Sequence, residues 1–208
     1  NEVFEFKAVF ANEVMCSVYS PAKSTPNLCY TYDFLTKIYP PSETDDRVDA
    51  WFDENIYSTL DGAPKEILKF ENPDIYNDGG ALTANAGNQV VFRLADAILL
   101  YAEALADLGT NDGKACELLN RIRTRAGAST LSLSGDDLKD AIYWERVREL
   151  MGEGHYFYDL VRTGKVCDNN YCYHPITRSE FREGAWTWPI SKTAQENNTL
   201  ITLNNYWE

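Results

Sequence analysis

The feature that most constrains this chain is a polar stripe between Gln89 and Leu108. The polar side chains there are Gln89, Arg93, Asp96, Glu103 and Asp107, at spacings of four, three, seven and four. At 3.6 residues per turn those spacings keep them in one narrow band of an α-helix. Everything else on the segment is apolar or Ala, so the spacing predicts a helix covered on most sides, as inside a helical stack. Gly109 is expected to end it, and Asn111 or Asp112 to cap the next. That second helix carries Ala115, Leu118, Leu119, Ile122 and Ala126 at i, i+3, i+4, i+7 and i+11. Arg121, Arg123 and Arg125 crowd its last turns, where cations favour the helix dipole, and Gly127 stops it. A short turn makes the two an antiparallel pair, and Ala102, Ala104 and Ala115 let the backbones approach closely. Such a pair resembles a tetratricopeptide unit, which needs neighbours to bury its other face. A third helix is expected from Ser134, with Asp137 completing a capping box, to about Met151. Leu138, Ala141, Ile142, Glu145 and Glu149 fall on one side of it, placing two carboxylates on an otherwise apolar face.

The flanks read differently. Residues 1–88, rich in Pro, Asn, Asp, Gly and aromatics, are expected to form short strands and long loops, with Val3 to Phe6 as a strand and Asp78-Gly79-Gly80 as a turn. Residues 89–165 are the helical core, and residues 166–208 an irregular tail with Trp186 and Trp188 as anchors. The 208 residues carry 44% apolar and 25% charged side chains, a globular balance. A net charge of −13 argues against a nucleic-acid partner, which needs clustered cations. The longest apolar run, near Ile98 to Leu105, is broken by Glu103 and is too short to span a bilayer. Residues 1 to 20 lack the pattern of a signal peptide. The chain starts within a β-like pattern, so it is expected to be a fragment with its N-terminal half absent.

Five Cys, an odd number, leave at least one without an intramolecular disulfide. Cys167 and Cys172 could form a local disulfide, and free buried thiols are expected at Cys16 and Cys116. No His/Cys spacing implies a metal, and no motif implies a cofactor or a catalytic triad.

Four ordered motifs carry a family resemblance. The run from Arg93 through Leu94-Ala95-Asp96-Ala97-Ile98-Leu99-Leu100-Tyr101-Ala102-Glu103-Ala104 is the first, and Leu119-Asn120-Arg121-Ile122-Arg123-Thr124-Arg125-Ala126-Gly127 follows it. Glu145-Arg146-Val147-Arg148-Glu149-Leu150 is the third; Gly152-Glu153-Gly154-His155 with Asp159-Leu160-Val161-Arg162-Thr163-Gly164-Lys165 is the fourth. Together they resemble the SusD/RagB family. Asp45-Asp46-Arg47, Trp188-Pro189-Ile190 and Asn204-Asn205-Tyr206 match more loosely. Tyr156 stands where the family usually has Arg, which implies a local network rebuilt around Tyr, and Ser191 replaces a frequent second Pro.

The resemblance implies a mainly α, TPR-like α-helical fold (a SusD-like alpha-alpha superhelix) with long irregular loops and a few short strands. It implies a non-enzymatic, surface-exposed lipoprotein of the outer membrane, tethered by an N-terminal lipid anchor that this chain does not contain. Such a protein captures a glycan and delivers it to a TonB-dependent, SusC-like barrel transporter. The alternatives are a protein–protein interaction scaffold without sugar binding and, more weakly, a glycoside hydrolase.

Glu145 and Glu149 could serve acid–base work, since glycosidase carboxylates sit roughly 5–10 Å apart. The nearby arginines favour scaffolding instead: Glu145 and Glu149 are expected to form a structural ion-pair network with Arg121, Arg125, Arg148 and Arg162. His155, in a Gly-His-Tyr turn, reads as a packing residue. For ligand contact the expected residues are Trp51, Tyr57, Tyr39, Asp46 and Arg47, because an aromatic platform beside carboxylates holds ring faces and hydroxyls together.

Overall fold

The computed structural model describes residues 30–52, 56, 57, 67, 69, 90–198 and 200–208. The described chain is mainly helical and divides into two compact units, residues 1–153 and 154–208. Among the described residues of the first unit are α1 (Tyr32–Ile38), α2 (Asp46–Trp51), α3 (Leu94–Leu108), α4 (Asp112–Arg125) and α5 (Gly135–Glu149).

The α3–α4 hairpin forms for the reasons its sequence supplies. Gly109 closes α3 in the left-handed region at φ +62°, a conformation with little cost only for glycine. Two residues later Asn111 caps α4, its side chain accepting from the Lys114 amide at 3.1 Å. Ala95, Leu99, Ala102 and Ala106 of α3 then meet Ala115, Leu118, Leu119 and Ile122 of α4, and Leu138 and Ile142 of α5 complete the core. Burying each Leu or Ile here contributes about 1.5–3 kcal/mol, and the alanines allow that contact at close range.

The first part of the polar stripe of α3 turns inward, and only its end at Asp107 is exposed. Arg93 reaches Glu149, Asp96 pairs with Arg146 at 2.9 Å, and Asp107 lies 3.7 Å from Lys139, so the stripe is the seam along which α3 meets α5. The expectation of apolar burial on most sides is corrected: Leu94, Leu100, Tyr101 and Leu108 are exposed.

The start of α5 also differs from expectation. Ser134 makes no side-chain cap; the Gly135 amide donates instead to Asp112 Oδ2 at 2.7 Å. The α4–α5 connection is pinned by Asn120, whose side-chain amide exchanges two 2.8 Å hydrogen bonds with the Leu131 backbone.

Within residues 30–69, α1 and α2 stand where strands and loops were expected, and the β structure described there is a bridge between Phe52 and Ile67. Thr31 and Asp45 supply the helix N-caps. Both helices are about two turns long, too short for apolar periodicity to announce them. The expected strand at Val3 to Phe6, the turn at Asp78-Gly79-Gly80 and Cys16 lie outside the described residues.

The second unit contains α6 (Tyr156–Arg162), a 3-10 turn (Lys165–Cys167), α7 (Arg178–Glu183) and α8 (Lys192–Asn197). Thr177 and Glu180 form a full capping box at α7, and Ser191 caps α8 through the Ala194 amide. The Tyr156 hydroxyl donates to the Tyr171 carbonyl at 2.8 Å. Trp188 does not anchor this segment, being 89% exposed, whereas Trp207 does: its indole N–H donates to Thr187 Oγ1 at 3.1 Å. Cys116, Cys167 and Cys172 are free thiols. Among the described residues no helix is long and apolar enough to cross a membrane.

Candidate functional site

Glu145 and Glu149 lie one turn apart on α5, and both are fully buried. A buried carboxylate is tolerated only where cations and hydrogen bonds replace its water. Arg47 of α2 supplies the bridge. Its Nη1 sits 3.0 Å from Glu149 Oε2 and its Nη2 2.8 Å from Glu145 Oε1. Asp45, the N-cap of α2, holds the other edge of that guanidinium at 2.6 and 2.8 Å. The contact to Glu145 Oε1 is an ion pair off the hydrogen-bond axis, since no donor is aligned on that oxygen. Burial opposes the charge on Arg47, yet the Asp45 hydrogen bonds and Glu145 outweigh it and hold the guanidinium more strongly protonated than usual.

The second oxygen of Glu145 receives Arg123 of α4 at 3.0 Å and Arg148 at 3.4 Å. Arg123 also donates to the Ser129 carbonyl, and Arg148 to the Ile38 carbonyl at the end of α1. Glu149 is matched by Arg93 and Arg125 besides Arg47. Beyond the end of α5, Glu153 accepts from Arg93 at 2.7 Å and from Lys69. Burial opposes the Glu153 charge, but the Arg93 hydrogen bonds and Lys69 outweigh it and bring its carboxyl below the usual range. Lys69 Nζ also donates to the Glu149 and Met151 carbonyls at 2.8 and 3.0 Å, so it caps α5 while lying 4.2 Å from the Trp51 ring centroid. Burial pulls its ammonium down to about 8, against the raising effect of Glu153.

This geometry sorts the expected site residues. Arg125 and Arg148 reach the buried glutamates. Arg121 does not: it is exposed and touches no carboxylate among the described residues. The helix period explains this, since Arg123 points inward while Arg121 and Arg125, one turn apart, share the outer side. Arg162 lies in the second unit, where it pairs with Asp159 at 2.8 Å. Arg93, Arg47 and Arg123 carry the balance that sequence reasoning gave to Arg121 and Arg162. The buried Asp96 at the seam was the available signal for an inward-facing charged stripe.

Two expected ligand residues are instead interior. Tyr39 is 2% exposed; its hydroxyl donates to the Arg148 carbonyl at 3.2 Å, and burial pushes its pKa up. Arg47 is 4% exposed and held by three carboxylates. The remaining three keep access to solvent. Trp51 and Tyr57 are half-buried, and Asp46 is exposed at the start of α2, its backbone N–H bonded to the Ala126 carbonyl. The Tyr57 hydroxyl is pushed up by burial and then by Asp45 and Asp49, which places it within the field of that acidic turn. His155 is half-buried, and His174 packs edge-on against Tyr173. No group of three potential metal ligands occurs among the described residues.

A hairpin scaffold, clasped through one helix by buried arginine–glutamate pairs, defines a helical framework protein whose most conspicuous charges are structural. The chain belongs to the SusD family, whose model matches residues 66–207. A SusD homolog from Bacteroides thetaiotaomicron superposes over the whole chain with a TM-score of 0.85 and 58% identity; this chain covers 44% of it. The surface glycan-binding protein A from Bacteroides uniformis shares the fold at a TM-score of 0.58 and 23% identity, over 84% of this chain and 40% of its own length. Two SusD-like proteins of Formosa agariphila are 40% identical over 107 residues and 42% identical over 92. These stretches are 49% and 39% of this chain, but only 20% and 18% of those proteins. The chain therefore spans less than half the length of these relatives.

Proposed function

We propose that this chain is part of a non-enzymatic, surface-exposed outer-membrane lipoprotein that captures a glycan and passes it to a TonB-dependent, SusC-like barrel transporter. Family membership supports the reading, as does the shared fold of the Bacteroides uniformis glycan-binding protein. The observation that carries it is what remains at the surface once the network is accounted for. Trp51 and Tyr57 are half-buried, Tyr57 lies in the field of Asp45 and the exposed Asp49, and Asp46 is exposed at the start of the same helix, a combination that suits sugar faces and hydroxyls. Glycoside hydrolysis is disfavoured by the same geometry. Glu145 and Glu149 are 0% exposed and matched by guanidiniums, which leaves neither free to protonate a glycosidic oxygen.

Affinity electrophoresis against a panel of neutral and acidic polysaccharides tests the reading. At least one polysaccharide should retard the chain, and Trp51→Ala or Tyr57→Ala should abolish that retardation with an unchanged circular dichroism spectrum. A panel that retards nothing refutes glycan capture. Retardation unaffected by both variants moves the site away from α2.

The second reading, a protein-binding scaffold, draws on the open face of α3 at Leu94, Leu100, Tyr101 and Leu108. Association with a protein partner that is lost in Tyr101→Glu, together with no retardation by any polysaccharide of the panel, would favour it.

A further inference from the structure

The outer side of the α3–α4 hairpin carries a cleft of about 450 Å³ that the glycan reading does not use. Arg93, Arg121 and Arg125 line it over a floor that includes Leu94, Ile98 and Ile122, and no carboxylate lines it among the described residues. In a chain of net charge −13, a cleft bordered by three guanidiniums, with no acid among its described lining residues, is a local excess of positive charge.

That excess is only partly cancelled from behind, where Glu149 and Glu153 hold Arg93 and Glu149 reaches Arg125. Glu149 already serves Arg47 and Arg93 as well as Arg125, whose side chain is still 56% exposed. Arg121 is exposed and makes no ion pair among the described residues. Arg121 and Arg125 stand one turn apart on α4, a like-charge pair that weakens the helix unless an anion bridges it. The cleft also lies at the start of α3, where Arg93 provides no side-chain cap, so the helix dipole adds to the positive field.

We propose that this cleft is a binding subsite for an acidic saccharide, one whose ring carries a carboxylate or a sulfate. The anion would be received by Arg121 and Arg125, since guanidiniums take either group through paired N–H donors. The C–H face of the ring would rest on Leu94, Ile98 and Ile122. A volume of this size suits a small ligand held by an apolar floor and a few convergent polar groups. The assignment rests on the glycan-capture reading and narrows its ligand to anionic sugars at this position.

Isothermal titration calorimetry on the chain, at low and high salt, tests it with four probes: trigalacturonate, a sulfated galactan tetrasaccharide, neutral galactotriose and triglutamate. At least one acidic saccharide should bind, weaken as salt rises, and lose about tenfold or more in affinity in Arg121→Ala, with partial recovery in Arg121→Lys. Arg121 is exposed and makes no ion pair or hydrogen bond among the described residues, so its variants should keep the wild-type melting temperature. Binding of trigalacturonate alone identifies a carboxylate ligand, and binding of the sulfated probe alone a sulfate; either supports the subsite. Acidic and neutral saccharides binding equally, with no effect of Arg121→Ala, would overturn the subsite while leaving glycan capture standing. Binding of triglutamate but of no saccharide, dependent on Arg121, would also overturn it and assign the cleft to an acidic peptide. Absence of binding by all four probes refutes the subsite, and the polysaccharide panel then decides glycan capture separately.

Discussion

Replacing Glu145 by Gln is the most direct test of the buried network, because it removes a charge and leaves the shape. Glu145 uses both oxygens: Oε1 faces Arg47 at 2.8 Å, and Oε2 faces Arg123 at 3.0 Å and Arg148 at 3.4 Å. An amide has one oxygen, so its N–H₂ must point at one of these guanidiniums, donor against donor. Arg47 is the better provided, since it retains Asp45 and Glu149. Among the described residues, Arg123, 4% exposed at its side chain, would otherwise keep only the Ser129 carbonyl and Glu43 at 3.6 Å. The amide oxygen should therefore stay with Arg123. Removing one partner from a buried ion pair costs about 3–5 kcal/mol, and the residual partners of Arg47 place Glu145→Gln near about 3. For a chain of this size that lowers the melting temperature by about 6–12 °C. Urea unfolding with calorimetry measures both quantities. Pairing the change with Arg123→Met should show a coupling of about 1–3 kcal/mol, because the double variant no longer strands a guanidinium. A melting temperature within about 2 °C of wild type would refute the structural assignment, and lost glycan hydrolysis at that unchanged stability would make Glu145 catalytic.

Three further outcomes follow from the same geometry. Arg47→Lys should cost about 2–4 kcal/mol in urea unfolding, because one ammonium cannot span Asp45, Glu145 and Glu149 as the planar fork does. Gly127→Ala should lose about 1–2 kcal/mol, mainly from a non-glycine residue at φ +65°. Its Cβ would sit 2.3 Å from Asp46 Oδ2, but that exposed side chain can swing aside. Gly109→Ala, at φ +62° with nothing within 4 Å, measures the backbone cost alone, so the difference between the two isolates the Asp46 contact. Lys69 should titrate near 8 in a ¹³Cε NMR experiment, well below an ordinary lysine. Its folded pKa lies below its unfolded value, so the unfolded chain binds this proton more tightly, and its contribution to stability rises with pH from about 8 to about 10.5, by about 3 kcal/mol in all. Relative to Lys69→Met, wild type should gain stability across that window; a midpoint above 10 and a flat difference would contradict the burial argument.

How much of this was legible in the sequence depends on the length of each element. The α3–α4 hairpin and α5 could be read because their periodicity runs for 14 or 15 residues and their ends carry Gly109, Asn111 and Gly127. α1, α2, α7 and α8 could not be read by periodicity, since six or seven residues give barely two turns. Their caps were visible all the same: Thr31, Asp45, Thr177 with Glu180, and Ser191 each occupy an N-cap position. Capping residues therefore mark these short helices where hydrophobic pattern does not, although they were not read as helix starts in the sequence. Capping chemistry misled once, at Ser134, where Asp112, 23 residues away, accepts the first amide of α5.

The buried acids illustrate a different limit. That Glu145 and Glu149 meet arginines followed from their place on an apolar face, but which arginines was a tertiary fact. Arg47 is 98 residues from Glu145 in sequence, and its role depends on α2 being fixed by Asp45 so that one guanidinium bridges two helical turns. Nearby arginines were the natural guess, yet α4 turns only Arg123 fully inward; Arg125 reaches Glu149 from the outer side, and Arg121 is left outside. The same rotation that excludes Arg121 from the structural pairs puts it on the cleft with Arg125 and Arg93. One helix thus divides its cations by phase: Arg123 balances a glutamate that cannot reach water, Arg125 shares Glu149 with two other guanidiniums while staying half exposed, and Arg121 has no ion pair among the described residues. A charge with no internal partner is the part of a neutralised framework that remains available to a ligand.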